Sequence, residues 1–239
     1  RKTILAAPQE EAASNALSKP ITFRGQVIGN LDFIREDQNQ PWTDDEVQLI
    51  EEILEQTALA LENARLVDQI RLRSDQIQLL QEITAMAASI LDEKELLSSV
   101  AQKLQTNLQI LHCGIALQDQ DEETLTLVAS STPSKNAPAV GASVNLSEDA
   151  LSQSIFTKNS LQVFQKFTQE PNYQTFVQTF STQSDSTLIT LPLTIRDEVI
   201  GYIFLEDREE NRTIDKEETN LFQQISAQIS TAIESARLF

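Results

Sequence analysis

One segment of this chain occurs twice. ITFRGQVIG at 21–29 lies over LTIRDEVIG at 193–201, a shift of 172 residues (21 to 193). The same shift carries Pro20 onto Pro192, Asn39 onto Asn211, Glu46 onto Glu218, Leu49 onto Leu221, Ile53 onto Ile225 and Gln56 onto Gln228 without a gap. It closes with ALENARL at 60–66 over AIESARL at 232–238. A repeat of that length means two copies of one structural unit, and any fold for the chain must hold both. Position 1 falls on position 173, inside the second copy, and the single methionine is Met86. The chain is therefore expected to be a piece of a longer protein, with the upstream copy represented by its C-terminal half.

Each copy predicts a β-hairpin followed by a helix. In 17–34 the alternation of Ile21, Phe23, Val27, Leu31 and Phe33 gives two strands around a turn at Arg24-Gly25-Gln26. The matching hairpin is 187–205, turning at Arg196-Asp197-Glu198. Gly29 and Gly201 hold one equivalent strand position, where a missing side chain allows a bulge or a close backbone approach. Thr43 with Glu46, and Asp215 with Glu218, carry the spacing of helix-opening capping boxes. Two strands and a helix cannot bury both sheet faces alone, so residues 1–40 are expected to be stabilised by something outside their own fold.

From Thr43 to His112 there is neither glycine nor proline, and helix propensity stays high to about Leu91. Globular helices average about 11–12 residues, so this one needs a partner to bury it. Leu59, Asn63, Leu66, Ile70, Arg73, Ile77, Leu80, Thr84, Ala87 and Leu91 follow a 4-3 spacing, a heptad seam with polar interruptions. A second stripe, Leu79, Ile83, Met86 and Ile90, begins only late. The early helix reads as apolar on one face and the later part on two. The expectation is a parallel homodimer along 59–91, with Asn63 meeting its twin in register and the later stripe packing on the chain's own sheet.

Asp92 caps a second helix, about 93–108, with Leu96, Leu97, Val100 and Leu104 on one face. Strands near 110–118 and 124–130 follow around an acidic turn. Then come a Ser/Pro-rich loop, a short helix from Ser147 through Ile155, a short strand at 161–164, a helix at 171–180, and the closing hairpin and helix.

This order, with STLITLPLTIRDEVIGYIFLEDRE (186–209) and the helix ending SAQISTAIESARLF, resembles a GAF domain. ITFRGQVIGNLDF with PWTDDEVQLIEEILEQTALALENARL resembles the same element of an upstream GAF domain. The resemblance implies an α+β fold: an antiparallel sheet with the terminal helices on one face and a ligand pocket on the other, preceded by a long connecting helix. It divides the chain into 1–67, the C-terminal half of an upstream unit; 59–91, a connecting signalling helix; and 79–239, a complete unit. It also implies a sensory or regulatory role, and the last helix is expected to run on past Phe239 to a downstream effector.

The chemistry in the sequence is sparse. His112 and Cys113 are the only residues of their kinds. Side by side they suggest a thioether-linked bilin or a haem ligand; as strand neighbours they point to opposite faces. In bilin-binding GAF domains the attachment cysteine lies in the later, pocket-covering part, yet 145–180 contains no cysteine, so no bilin, haem or other cofactor is expected. A GAF-type methionine-sulfoxide reductase would need more than one thiol. The cyclic-nucleotide signature is missing, because Lys166-Phe167 has no Asn before it and no Asp-Glu after it. No Gly-rich phosphate loop exists, and Glu206, Asp207, Glu209 and Glu210 read as a solvated loop, not as a calcium or other metal site. No nucleophile–base pair supports an enzyme. Phe164, Phe167, Tyr173, Phe176 and Phe180 crowd into one stretch of a chain that is 5% aromatic. Together with Thr190 they either line an apolar cavity for a small ligand in the 145–190 region or form the core beneath a covering helix. Rings that fill the cavity leave no room for a ligand.

Composition narrows the partners. A net charge of −18 opposes nucleic acid and anionic membrane surfaces, both of which select Lys and Arg. No apolar run approaches the ~20 residues of a membrane span. One cysteine permits no internal disulfide and suits a reducing, cytoplasmic setting.

Overall fold

The computed structural model describes residues 16–35, 41–90, 92–182, 185–209 and 211–238. Leu91, the last seam position, lies outside them. The chain divides into two compact units, 1–74 and 75–239.

In the first unit β1 (Ala16–Phe23) pairs antiparallel with β2 (Gln26–Ile34). Arg24 and Gly25 make the turn, both with positive φ, as a type I′ turn requires. Leu17, Ile21, Phe23, Leu31 and Phe33 pack against Ile50, Leu54 and Ala58 of α1 (Asp44–Ser89). The opposite row, which includes Ser18, Thr22, Ile28, Asn30, Asp32 and Ile34, is exposed. The Thr43–Glu46 capping box forms: Thr43 N–H donates to Glu46 Oε2 at 2.8 Å. Arg35 pairs with the same glutamate at 2.5 Å and lies over the Trp42 ring at 4.4 Å.

Past the hairpin, α1 exposes the seam residues Leu59, Asn63, Leu66, Ile70 and Ile77. Apolar exposure is not confined to that seam, as the spacing had suggested. Leu61 and Leu72 continue the stripe begun by Ile50 and Leu54, and Val67 lies on a third face, all exposed.

The second unit is built on a six-stranded antiparallel sheet in the order β5-β4-β3-β8-β7-β6. The strands are β3 (His112–Gln118), β4 (Thr124–Ser131), β5 (Ser143–Asn145), β6 (Gln162–Phe164), β7 (Thr187–Ile195) and β8 (Glu198–Asp207). One face carries the end of α1, α2 (Glu93–Asn107) and α5 (Lys216–Leu238), whose Leu79, Ile83, Leu97, Val100, Phe222, Ile225 and Ile229 pack on Cys113, Ile115, Leu191, Ile203 and Leu205. The terminal helices thus share one face, as the α+β reading requires. Leu80 and Ala87, assigned by spacing to a partner, lean partly on this core as well. The other face carries α3 (Ala150–Lys158) and α4 (Gln174–Phe180).

The repeat extends to hydrogen-bond register. Ile21 faces Gly29 and Thr22 then faces Val27; Leu193 faces Gly201 and Thr194 then faces Val199. Each hairpin therefore carries the same one-residue bulge, 172 positions apart (21 to 193). In the second copy Ser230 Oγ accepts from the Thr194 N–H at the bulge, at 2.9 Å. Gly201 is obligatory there, since a Cβ would stand 2.2 Å from the Ala116 carbonyl oxygen; Gly29 meets no such obstacle.

Local expectations were shifted in the middle section. The helix predicted over 147–155 is broken at Asp149, with a 3-10 turn at Leu146–Glu148 before it and α3 after it. The edge strand β5 was missed, being too short for a periodic pattern.

Candidate functional site

The face of the sheet beneath α3 and α4 gathers the chain's rings. Phe204 of β8 is the hub: Phe176 meets it at 5.2 Å edge to face, Phe180 stacks at 6.1 Å, and His112 approaches at 5.2 Å. Phe167 and Phe176 are 6.0 Å apart, and Phe164 with Tyr173 forms an outer pair at 5.6 Å. Phe167, Phe176 and Phe180 are fully buried, whereas Phe164 and Tyr173 are half-buried. Thr190 is buried on the same face as Leu188, between Gln162 of β6 and Phe204 of β8. The six residues singled out in the sequence thus belong to one face, and the rings fill much of the space between α4 and the sheet. Sequence reasoning missed Phe156, Tyr202 and Phe204. The alternation of Tyr202 and Phe204 with Ile203 and Leu205 was the available signal, that of a strand covered on both faces.

Four polar arrangements are buried among these rings. Asp149, at the N-terminus of α3, accepts from Ser152 Oγ, and Ser152 Oγ lies 2.7 Å from the Tyr202 hydroxyl. Burial is the main influence on the Asp149 carboxyl and raises its pKa, with hydrogen bonds from Ser152 and Leu151 opposing. Gln162 bonds Ser154 of α3. Thr190 Oγ1 and Asp149 Oδ1 have no hydrogen-bond partner.

The fourth arrangement corrects the sequence reading. Glu206 and Asp207 do not lie in a solvated loop; they end β8, and Glu206 is fully buried. It accepts from Thr182 N–H at 3.1 Å, Thr182 Oγ1 at 2.5 Å and His112 Nδ1 at 3.2 Å. Strand alternation puts Glu206 in the row of Tyr202 and Phe204, and a partner 94 residues away in sequence is invisible to local pattern. Asp207 pairs instead with Arg212, which also reaches Glu218.

His112 and Cys113 occupy opposite faces, His112 beside Phe204 and Cys113 in the core under α2 and α5. Burial raises the Cys113 thiol well above its ordinary range, which leaves little thiolate for redox or ligand chemistry. Among the described residues no group of three or more His, Cys, Asp or Glu is placed to hold a metal ion, and no helix is long and apolar enough to cross a membrane. An open groove of about 890 Å³ lies away from the rings among Glu93, Asp119, Glu122, Glu198 and Arg237. Its walls mix charged groups, with an Arg237–Glu93 ion pair at 2.9 Å, and the apolar side chains of Leu117, Val128, Val199 and Ile200.

This chain belongs to the GAF domain family: the family pattern matches residues 92–235, and a second GAF domain pattern matches 5–61. No curated protein sequence matches it. Among solved structures, a GAF domain from a phosphoenolpyruvate-protein phosphotransferase of Coxiella burnetii is 15% identical, with a TM-score of 0.58 over 69% of this chain and 96% of that one. The phycocyanobilin-bound GAF domain of a cyanobacterial phytochrome is 17% identical, with a TM-score of 0.57 over 68% and 96%. The free methionine-R-sulfoxide reductase of Neisseria meningitidis, solved with its substrate, is 16% identical, with a TM-score of 0.56 over 68% and 90%. At these identities the likeness is one of fold.

Proposed function

We propose that this chain is a non-catalytic sensory and regulatory GAF module that pairs with a second copy through α1 and relays a signal to an effector following Phe239 in the parent protein. The observation that carries this reading is the exposed seam on α1. Leu59, Leu66, Ile70 and Ile77 are 55%, 45%, 69% and 51% exposed, on a helix that closes one repeat and opens the next. Contiguous apolar surface of this kind is a hallmark of a contact site. A second copy of the same helix is the simplest cover, and Asn63 in the seam favours a parallel pair in register. Arg73 weakens the centre. The likeness to phosphotransferase and phytochrome GAF domains supports a regulatory role, and the acidic surface and lone buried cysteine support a cytoplasmic setting free of nucleic acid and membrane. Spin labels on Gln69 of each chain are expected within roughly 20 Å, given helices packed about 8–10 Å apart. Sedimentation as a monomer at high concentration, or labels far apart in an antiparallel pair, would overturn it.

A second reading, a receptor that captures a small molecule beneath α3 and α4, is favoured by the buried, unpartnered oxygens of Asp149 and Thr190.

A further inference from the structure

Asp149 is fully buried, yet one of its carboxylate oxygens is unsatisfied. No Lys, Arg or His among the described residues forms an ion pair with it. Its other oxygen accepts from Ser152, backed by the Tyr202 hydroxyl. Thr190 is the second unsatisfied group, and its neighbours locate it under the same helix. Ser154 of α3 bonds Gln162 on one side of Thr190, and Ser152 bonds Tyr202 in the strand on the other side. Rings and aliphatic side chains share this face: Phe156 is edge-on to Tyr202 at 6.4 Å, Tyr202 is 6.1 Å from Phe204, and Leu151, Ile155 and Leu188 pack in the same cluster.

We propose that Asp149 and Thr190 anchor a small primary ammonium ion beneath α3, against the rings of Phe156 and Tyr202; this names the ligand class of the receptor reading and rests on it. A buried carboxylate without a cation is costly, and an ammonium group brings both the charge and three N–H donors. Two oxygen acceptors and aromatic faces suit it, since ring faces attract cations. A neutral ligand would leave the ionised carboxylate without a countercharge, and an anion would be repelled. The net charge of −18 draws cations toward the chain.

The site couples to two other events. When Asp149 carries a proton, amine binding expels it: the O–H bond breaks, the proton leaves to solvent, and the carboxylate pairs with the ammonium. The titratable group facing Asp149 is Tyr202 of β8, which burial first and the Asp149 charge second hold protonated. The α3 side presents Ser152, and Thr175 of α4 reaches only the Glu148 carbonyl. Reaching Asp149 also requires α3 to lift from Tyr202 and Gln162, so occupancy and displacement of α3 are one event.

Titration calorimetry of the full chain with ethylammonium chloride, at fixed ionic strength, tests this. Saturable heat with one site per chain is expected, with protons released at low pH. Affinity should fall at least tenfold in Asp149→Asn and severalfold in Thr190→Val, with circular dichroism reporting an intact fold in both. Potassium chloride should give no saturation, and tetramethylammonium, which has no N–H, should bind far more weakly. No saturable heat, as when a buried water satisfies the two oxygens, overturns the proposal. So does unchanged affinity in Asp149→Asn, or equal binding of tetramethylammonium. Native mass spectrometry of the same sample separates the two failures. A different bound molecule leaves the receptor reading standing while refuting the ammonium class, and sedimentation reports pairing through α1 independently.

Discussion

Phe204 reaches across β3 because residue 114 has no side chain. A Cβ on Gly114 would stand 2.1 Å from the Phe204 ring, and Phe204 in turn seats Phe176 and Phe180 of α4. Gly114→Ala is expected to cost roughly 1–3 kcal/mol, as overpacking a tight core does; a lower urea midpoint and a weakened aromatic circular dichroism signal would register it. Asp149 makes the opposite case. A carboxyl whose pKa is raised by burial holds its proton more tightly folded than unfolded. Its contribution is therefore most favourable below the unfolded value of about 3.9 and is lost as pH rises through the folded value. Asp149→Asn, which keeps the shape without the charge, should be more stable than the parent near neutral pH, and the gain should vanish below about pH 4. Urea denaturation at the two pH values measures both, and a variant that is less stable near neutrality contradicts the account.

At the level of elements, α4 is tied to the sheet at its exit by Glu206. Glu206→Leu strips the acceptor from Thr182 N, Thr182 Oγ1 and His112 Nδ1 together. Because buried donors left unpaired cost about 1–3 kcal/mol each, a loss of at least about 3 kcal/mol is expected from chemical denaturation, with faster hydrogen exchange at Thr182. This tether also marks where sequence reading ended. The two hairpins, the capping boxes at Thr43 and Asp215, the Asp92 cap and the length of α1 were legible because each is written in residues a few positions apart. The burial of Glu206, the break at Asp149 and the meeting of Tyr202 with Ser152 were not, because they depend on which strands neighbour β8. Of the site, the five rings in 164–180 and Thr190 could be found by composition and place. The polar groups that give the site its chemistry came from positions that read as a loop and a helix start.

Across the whole molecule, the two hairpins share turn, bulge and inward row. Ile21, Leu31 and Phe33 of the first match Leu193, Ile203 and Leu205 of the second, and each set faces its own closing helix. The outward rows have diverged: Ser18, Asn30, Asp32 and Ile34 stand where the second copy has Thr190, Tyr202, Phe204 and Glu206. The bulge makes this divergence safe. A slip of one residue would swap the two rows of a strand, but with two residues set against one at a fixed point the pairing has a single registry. Replacing outward side chains therefore changes what a copy touches on its far side without disturbing its hold on the helix behind it. Two copies of one structural unit can thus meet different chemical surroundings while each keeps the same hold on its helix.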